Sequence, residues 1–227
     1  MSEDRTKYLC CQEMEFNKLD FERVRVGGLL TNCYIIFNER NNDALLIDPA
    51  FDVNKIEKAL NNYRVTDIIL THGHIDHYYE LNYFKNKYKP KIYIHEADLK
   101  YLNDYNLNAP AGFFKGMTEQ AYSVDTIIKD GELLIFGDYS LKVIHTPGHT
   151  QGSVCLLWED KLFCGDTLFN NSVGRTDFPL SSYNDLKKSI KKLMLLDDEI
   201  KIFPGHGFAS TIGIERQNNE YIKYMAD

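Results

Sequence analysis

An apolar run ending at Leu70 passes without a turn residue into Thr71-His72-Gly73-His74-Ile75-Asp76-His77, so three imidazoles and a carboxylate fall within six positions. The chain holds seven His and nineteen Asp, and at those frequencies a chance HxHxDH arises about once in a thousand to two thousand such chains. Alternate residues of an extended segment project to the same side, so His72 and His74 can grip one cation between them. Asp76 and His77 then face a neighbouring position, offering a hard oxygen and a nitrogen. Neither pair closes a site alone, so the fold has to bring further donors to this loop.

Those donors stand at the ends of three later apolar runs: LKVIHTPGHT ends in His149, DKLFCGD in Asp166 and IKIFPGHG in His206. Each follows a predicted strand and adjoins Gly or Pro, where side chains can converge on the lip of a cleft. Taken singly, an Asp after a strand is a cap and a PGH a turn. As a set joined to the early motif they point to a metal centre.

The segments between the donors predict the frame. FERVRV, NCYIIF and ALLIDPA, within residues 22–50, are apolar and β-branched runs broken by turn residues, and read as consecutive antiparallel strands. A helix is expected from Val53 to Tyr63, with Ile56, Ala59, Leu60 and Tyr63 on one face, then a buried strand Asp67 to Leu70. A helix over 80–88, a strand Lys91 to His95 and a helical turn or two from Glu96 to Leu102 follow, with a loop from Pro110 to Gly116. The second half has the same make-up, with strands in DTIIKDGELLIFG, YSLKVIHT, SVCLLWE and DKLFCGD, a helix Ser181 to Leu195, a strand IKIFP and a helix Ile214 to Met225. No Gly-, Ser- or Pro-rich linker divides the halves. The expectation is an N-terminal extension over 1–21 and one domain over 22–227, with two sheets face to face and helices outside.

With 227 residues, 44% of them hydrophobic, the chain can bury a core without covalent staples. A net charge of −7, with Lys and Arg scattered among acids, disfavours a nucleic-acid partner. No signal peptide or membrane-length apolar stretch is present, so a cytoplasmic protein with no membrane partner is expected. The five cysteines, Cys10, Cys11, Cys33, Cys155 and Cys164, form no CxxC pair and read as buried or idle thiols.

THGHIDH, TPGHTQGS, GDTLF and PGHG occur in the order and rough spacing of the metallo-β-lactamase superfamily, which the chain resembles over about residues 22–212. That resemblance implies an α/β fold, the four-layer αββα sandwich of two mixed sheets, with a metal pair in a groove at one edge. Carried over, His72, His74 and His149 bind the first metal, Asp76, His77 and His206 the second, and Asp166 bridges them. SVGRTDFPLSS, Ser172 to Ser182, resembles the stretch after the bridging Asp in glyoxalase II-like hydrolases and their persulfide dioxygenase relatives. Asp48 and Thr71 match positions that support the ligands from behind. Arg175 and Asp177 are either an ion pair shaping the groove wall or an ordinary exposed turn pair.

The chain departs from the family pattern at two places. Tyr79 and Glu80 stand where small residues are usual, which puts bulk at the helix start beside the metals. Only about twenty residues follow His206, where glutathione-specific thioesterases carry a helical extension, so glutathione specificity is not implied. His95 reads as structural. His145, two residues before Pro147, could reach the groove, but no ligand position is left for it. Phe113, Phe114 and Phe169 are candidates for an apolar substrate wall.

Two metals, zinc first and iron or manganese next, can share a water and lower its pKa towards about 7. Oriented by Asp76 as the catalytic carboxylate, the resulting hydroxide would attack a small acyl substrate, a thioester before others. The alternative is an oxidoreductase like the persulfide dioxygenases, using one iron at His72, His149 and Asp166. A β-lactamase proper fits poorly, since the secreted enzymes have Cys in place of Asp166. A purely structural metal module fits poorly as well, because structural zinc has four closed ligands. Oligomeric state is not legible.

Overall fold

The computed structural model describes residues 21–108 and 120–226. The expected loop Pro110 to Gly116, Phe113, Phe114, Cys10, Cys11 and all of the expected N-terminal extension but Phe21 lie outside them. Strands β1 (Phe21–Val26), β2 (Thr31–Asn38) and β3 (Asp43–Ile47) form an antiparallel meander, as the alternating runs predict. Helix α1 (Val53–Leu60) leads into β4 (Arg64–Ile69), which pairs parallel to β3. The helix stops three residues before the expected end because Asn61 and Asn62 both adopt left-handed backbone, which asparagine tolerates better than most residues. Next come α2 (Ile75–Tyr78), α3 (Leu81–Tyr88), β5 (Lys91–His95), a 3-10 helix Glu96–Asn103, α4 (Tyr105–Asn108) and β6 (Thr126–Ile128). The first sheet has the order β1-β2-β3-β4-β5-β6.

The second half starts with β7 (Leu133–Phe136), β8 (Tyr139–His145), β9 (Val154–Trp158) and β10 (Lys161–Gly165). A small ribbon of β11 (Leu168–Phe169) and β12 (Ser172–Val173) follows, then α5 (Tyr183–Leu193), β13 (Lys201–Pro204) and β14 (Ser210–Thr211). The second sheet has the order β14-β13-β10-β9-β8-β7. Ser182 caps α5, its hydroxyl accepting from the Asp185 N–H, so this helix begins inside the expected Ser181 to Leu195 span. The expected single terminal helix is two, α6 (Ile212–Asn218) and α7 (Glu220–Ala226). The break falls at Asn219, whose side chain donates to the Ser172 carbonyl and the Glu215 carboxylate.

Three buried clusters define the layers. One packs α1, α2 and α3 on the outer face of the first sheet, through Ile56, Leu60, Leu81 and Phe84 against Val24, Val26, Ile35 and Ile68. Another lies between the sheets, with Tyr34, Ile36 and Ile47 facing Leu156, Trp158 and Phe163. The third packs α5 and the last two helices on the second sheet. The order is therefore helix, sheet, sheet, helix, the αββα sandwich. β3 is buried along its whole length, which suits a strand covered on both faces. Phe21 meets Phe203 edge-on at 4.9 Å and Phe163 at 5.4 Å, pairs that contribute roughly 0.5–1.5 kcal/mol each beyond burial. No helix among the described residues is long and apolar enough to cross a membrane.

Parallel pairing sets the edge at which chemistry collects. β3, β4 and β5 run parallel, and so do β10 and β13. The segments that leave β3, β4, β10 and β13, together with the one that leaves β8, meet at one rim of the sandwich, where strand ends of such sheets gather ligands.

Candidate metal centre

His72, His74, Asp76, His77 and His149 are all buried, and the donor atoms of His72, His74 and His149 lie within 4.8 Å of one another. Those of Asp76, His77 and His206 form a second such group. Asp166 lies between the two: its Oδ2 is 3.6 Å from His149 Nε2 and 3.5 Å from His206 Nε2, and its Oδ1 is 3.5 Å from His77 Nε2. All seven donors read from the sequence are thus brought together, four stretches of backbone supplying them.

Which ring nitrogen faces the cluster is decided by the oxygen that holds the other one. His77 Nδ1 donates to Asp48 Oδ2 at 2.9 Å, His149 Nδ1 to the Arg175 carbonyl at 2.9 Å and His206 Nδ1 to the Leu29 carbonyl at 3.2 Å. Thr71 Oγ1 donates to Asp48 Oδ2 at 2.7 Å and accepts from His72 Nδ1 at 3.1 Å. In all four histidines Nε2 is the nitrogen left pointing inward. His74 differs, since its Nδ1 lies 2.9 Å from His149 Nε2.

Two of the inward atoms, His72 Nε2 and Asp166 Oδ1, are buried with no hydrogen-bond partner. Leaving a buried polar atom unpaired costs about 1–3 kcal/mol, and a nitrogen and a carboxylate oxygen orphaned in one cluster of donors are what a cation would satisfy. The donor set of imidazoles and carboxylates suits zinc and also iron or manganese. Asp48 lies within 4.8 Å of ring nitrogens of His72 and His77 as well. It is nevertheless a brace, because Oδ1 accepts from the Thr71 N–H and Oδ2 from Thr71 Oγ1 and His77.

Charge follows the same geometry. Burial pushes His72 and His74 well below the ordinary imidazole value, and neighbouring imidazoles push them further. Burial alone would lower His77 too, but Asp166, Asp76 and Asp48 outweigh it and lift the group to about 10. Asp76 is buried, which opposes ionisation, yet His77 and His206 hold its carboxyl well below the usual range.

Close backbone approach requires glycine at two points. A Cβ on Gly205 would sit 2.2 Å from Asp166 Oδ1 and 2.6 Å from His77 Cε1. Gly165, at φ +47°, would place one 2.5 Å from Thr71 Oγ1. The Gly in GD and in PGH therefore lets strand ends of the second sheet press against the loop of the first.

Sequence reasoning missed Asp98. This fully buried carboxylate, on the 3-10 helix after β5, accepts from Gly73 N–H at 2.8 Å, Gly152 N–H at 2.6 Å and Thr150 Oγ1 at 2.6 Å. It ties the loop carrying His72 and His74 to the loop carrying His149. Nothing in its setting, EAD after a strand, signals the role. Phe178 was missed too; its ring packs 5.0 Å from His74 and 5.9 Å from His149.

The other residues singled out in the sequence are placed as follows. His145 does not reach the groove: its ring stacks on His95 at 4.0 Å, and its Nε2 bonds the Gln151 carbonyl. His95 Nδ1 accepts from the Ala97 N–H and caps the 3-10 helix. Arg175 and Asp177 do form a bidentate pair, both contacts 2.6 Å, but each side chain is more than half exposed. What Arg175 gives the site is its carbonyl to His149, with its guanidinium over the Phe178 ring at 4.3 Å. The bulk at Tyr79 turns away from the donors and stacks on Phe51 at 5.0 Å. The Glu80 N–H donates to the Ala50 carbonyl. Phe169 lies beside His206, ring centroids 6.4 Å apart.

Comparison with known proteins gives the same picture. The family model described as the metallo-beta-lactamase superfamily matches residues 26–206. The chain is 32% identical to hydroxyacylglutathione hydrolase GloC of Haemophilus influenzae, the match covering 90% of this chain and 98% of that one. Among solved structures, BLEG-1 B3 metallo-beta-lactamase superposes with a TM-score of 0.82 at 30% identity, over 89% of this chain and 99% of that one. TTHA1623, in a di-iron-bound form, superposes with a TM-score of 0.79 at 29% identity, over 88% and 99%.

Proposed function

The chain belongs to the metallo-beta-lactamase superfamily, in its glyoxalase II-like branch, and from that premise we propose that it is a metal-dependent hydrolase of thioesters or closely related small acyl substrates. The observation that carries the reading is the convergence of seven donors with His72 Nε2 and Asp166 Oδ1 buried and unpaired. His72, His74 and His149 would hold one metal, Asp76, His77 and His206 a second, and Asp166 would bridge. Bound there, a metal pair supplies a Lewis acid for the acyl oxygen and a water acidic enough to react near neutral pH.

The chain's own residues do the rest. Asp76, ionised at all working pH values, accepts a hydrogen bond from the attacking water and aims it. Asp48, Thr71 and the Arg175 carbonyl fix the tautomers, so the inward nitrogens need no rearrangement before reaction. Phe178, against His74 and His149, keeps bulk water from that side of the acyl group. A thiolate is a good leaving group, which makes a thioester the easiest substrate for such a site.

The length of the chain does not argue against glutathione thioesters. It spans 98% of a relative named for hydroxyacylglutathione hydrolysis, so a long helical extension is no condition for that name. Zinc or iron would serve, the di-iron form of TTHA1623 supporting a two-metal occupancy.

The test is elemental analysis of protein purified without added metal, paired with hydrolysis assays on a 2-hydroxyacyl glutathione thioester and on a neutral N-acetylcysteamine thioester. Two metal equivalents with thioester cleavage are expected. One iron, with oxygen consumed on a persulfide and no thioester cleaved, would overturn the reading in favour of the oxidoreductase.

A further inference from the structure

The arginines of the described residues differ in their partners. Four arginines, Arg40, Arg64, Arg175 and Arg216, each hold an aspartate. The two on β1, Arg23 and Arg25, have no carboxylate partner among the described residues. In a chain of net charge −7, two neighbouring cations with no carboxylate partner among the described residues need a reason. They alternate with Val24 and Val26, which face the outer helices, and so share the side of β1 from which Phe21 enters the inter-sheet core. There they reach the segment just after His206: Arg23 donates to the Gly207 carbonyl at 3.4 Å, and the Arg25 guanidinium lies over the Phe208 ring at 5.4 Å.

That segment borders a cavity of about 250 Å³ lined by Phe169, Asn170, His206, Gly207 and Phe208. It is smaller than the roughly 300–1,000 Å³ of pockets that enclose a whole drug-sized ligand, so it fits one arm of a substrate. Its walls are apolar and open: Phe208 is 54% exposed, and in the adjoining turn Leu29 and Leu30 are 37% and 54% exposed. The same turn gives His206 its carbonyl partner, so an arm lying here begins at the centre itself.

We propose that this cavity is a substrate subsite for an apolar arm ending in a carboxylate, with Arg25 as the residue that selects the carboxylate. The arm lies along Phe169 and Phe208, and its terminal anion meets the Arg25 guanidinium beside the Phe208 ring. Arg23 adds positive charge while holding the Gly207 backbone in place. The assignment rests on the reading of the metal centre as the reaction site, and it adds the class of acyl or thiol group the site prefers.

The test uses two non-hydrolysable thioethers and the metal-loaded protein. They are S-(3-carboxypropyl)-N-acetylcysteamine and its neutral twin, S-(3-carbamoylpropyl)-N-acetylcysteamine. Calorimetry is expected to give the natural protein an approximately tenfold preference for the carboxylate, shrinking as salt is added. Arg25→Gln brings the two ligands to the same affinity, Arg25→Lys restores part of the difference, and Phe208→Ala weakens both ligands alike. Metal content and thermal midpoint, measured on every variant, separate these effects from misfolding. A carboxylate that merely ligated a metal would keep its advantage in Arg25→Gln, and that result overturns the proposal, as does failure of both ligands to bind. Preference without hydrolysis of any thioester would sink the proposed function and leave the subsite standing; hydrolysis without an Arg25-dependent preference does the reverse.

Discussion

His72 and His206 occupy opposite ends of the donor cluster and are held in different ways. His72 is 1% exposed, and its outward nitrogen is tied through Thr71 to a carboxylate on left-handed backbone, Asp48. Its neighbours Gly73 and Thr150 hang from Asp98. The His206 side chain is 26% exposed, and its outward nitrogen has one carbonyl partner, in the turn of Leu29 and Leu30. One end is braced by buried carboxylates, the other leans on a surface turn. A preorganised end keeps its metal under stress, and a softer end is free to accommodate substrate.

Removing a buried brace should therefore do the most damage. Asp98→Ala leaves the Gly73 and Gly152 N–H groups unpaired and the Thr150 hydroxyl with Ser153 alone, and urea unfolding should show a loss of about 3 kcal/mol or more. Asp48→Ala should cost about 10–100-fold in metal affinity, measured by competition with a chelator. An Asp98→Ala protein as stable as the natural one would break the comparison.

The next effect is one of pH on the metal-free protein. His77 is raised from an ordinary 6.5 to about 10, so its protonation stabilises the fold fully below about 6.5. That contribution is lost as pH rises through about 10. A metal needs the nitrogen free and displaces the proton, so metal affinity should climb across the same window while the metal-free melting temperature falls. Parallel melting and chelator titrations between pH 6 and about 10 read both slopes.

His206→Ala sharpens the comparison further: elemental analysis should find one equivalent retained and one lost, with a smaller change in stability than Asp98→Ala gives. Loss of both equivalents would mean the two groups are not separable. The smallest effect belongs to Asp177→Ala, which removes a pair exposed on both sides and should leave the urea midpoint of unfolding unchanged.

The legible and illegible parts of the site differ for a physical reason. Metal ligation demands rare residue types at tight spacing, so His72 to His77 announce themselves, and GH, GD and PGH at strand ends can be assembled around them. Bracing is harder to read. Asp98 binds backbone N–H groups, which every residue but proline carries, and Arg175 supports His149 through a carbonyl that any residue at that position would offer. The fold divides in the same way. Apolar runs give the strands and their order along the chain, but the break at Asn219 depends on a partner at Ser172, nearly fifty positions away, and the His95–His145 stack on two strands that pattern alone does not bring together.

The donor set also straddles the sandwich. His72 to His77 follow β4 of one sheet, whereas His149, Asp166 and His206 follow strands of the other. An ion that binds only when both are in place works as a clasp across the rim, favouring the closed form by about 4 kcal/mol at a thousandfold excess over its Kd. Prying the layers apart and stripping the ions become one event, so chelators should act on this protein as denaturants do.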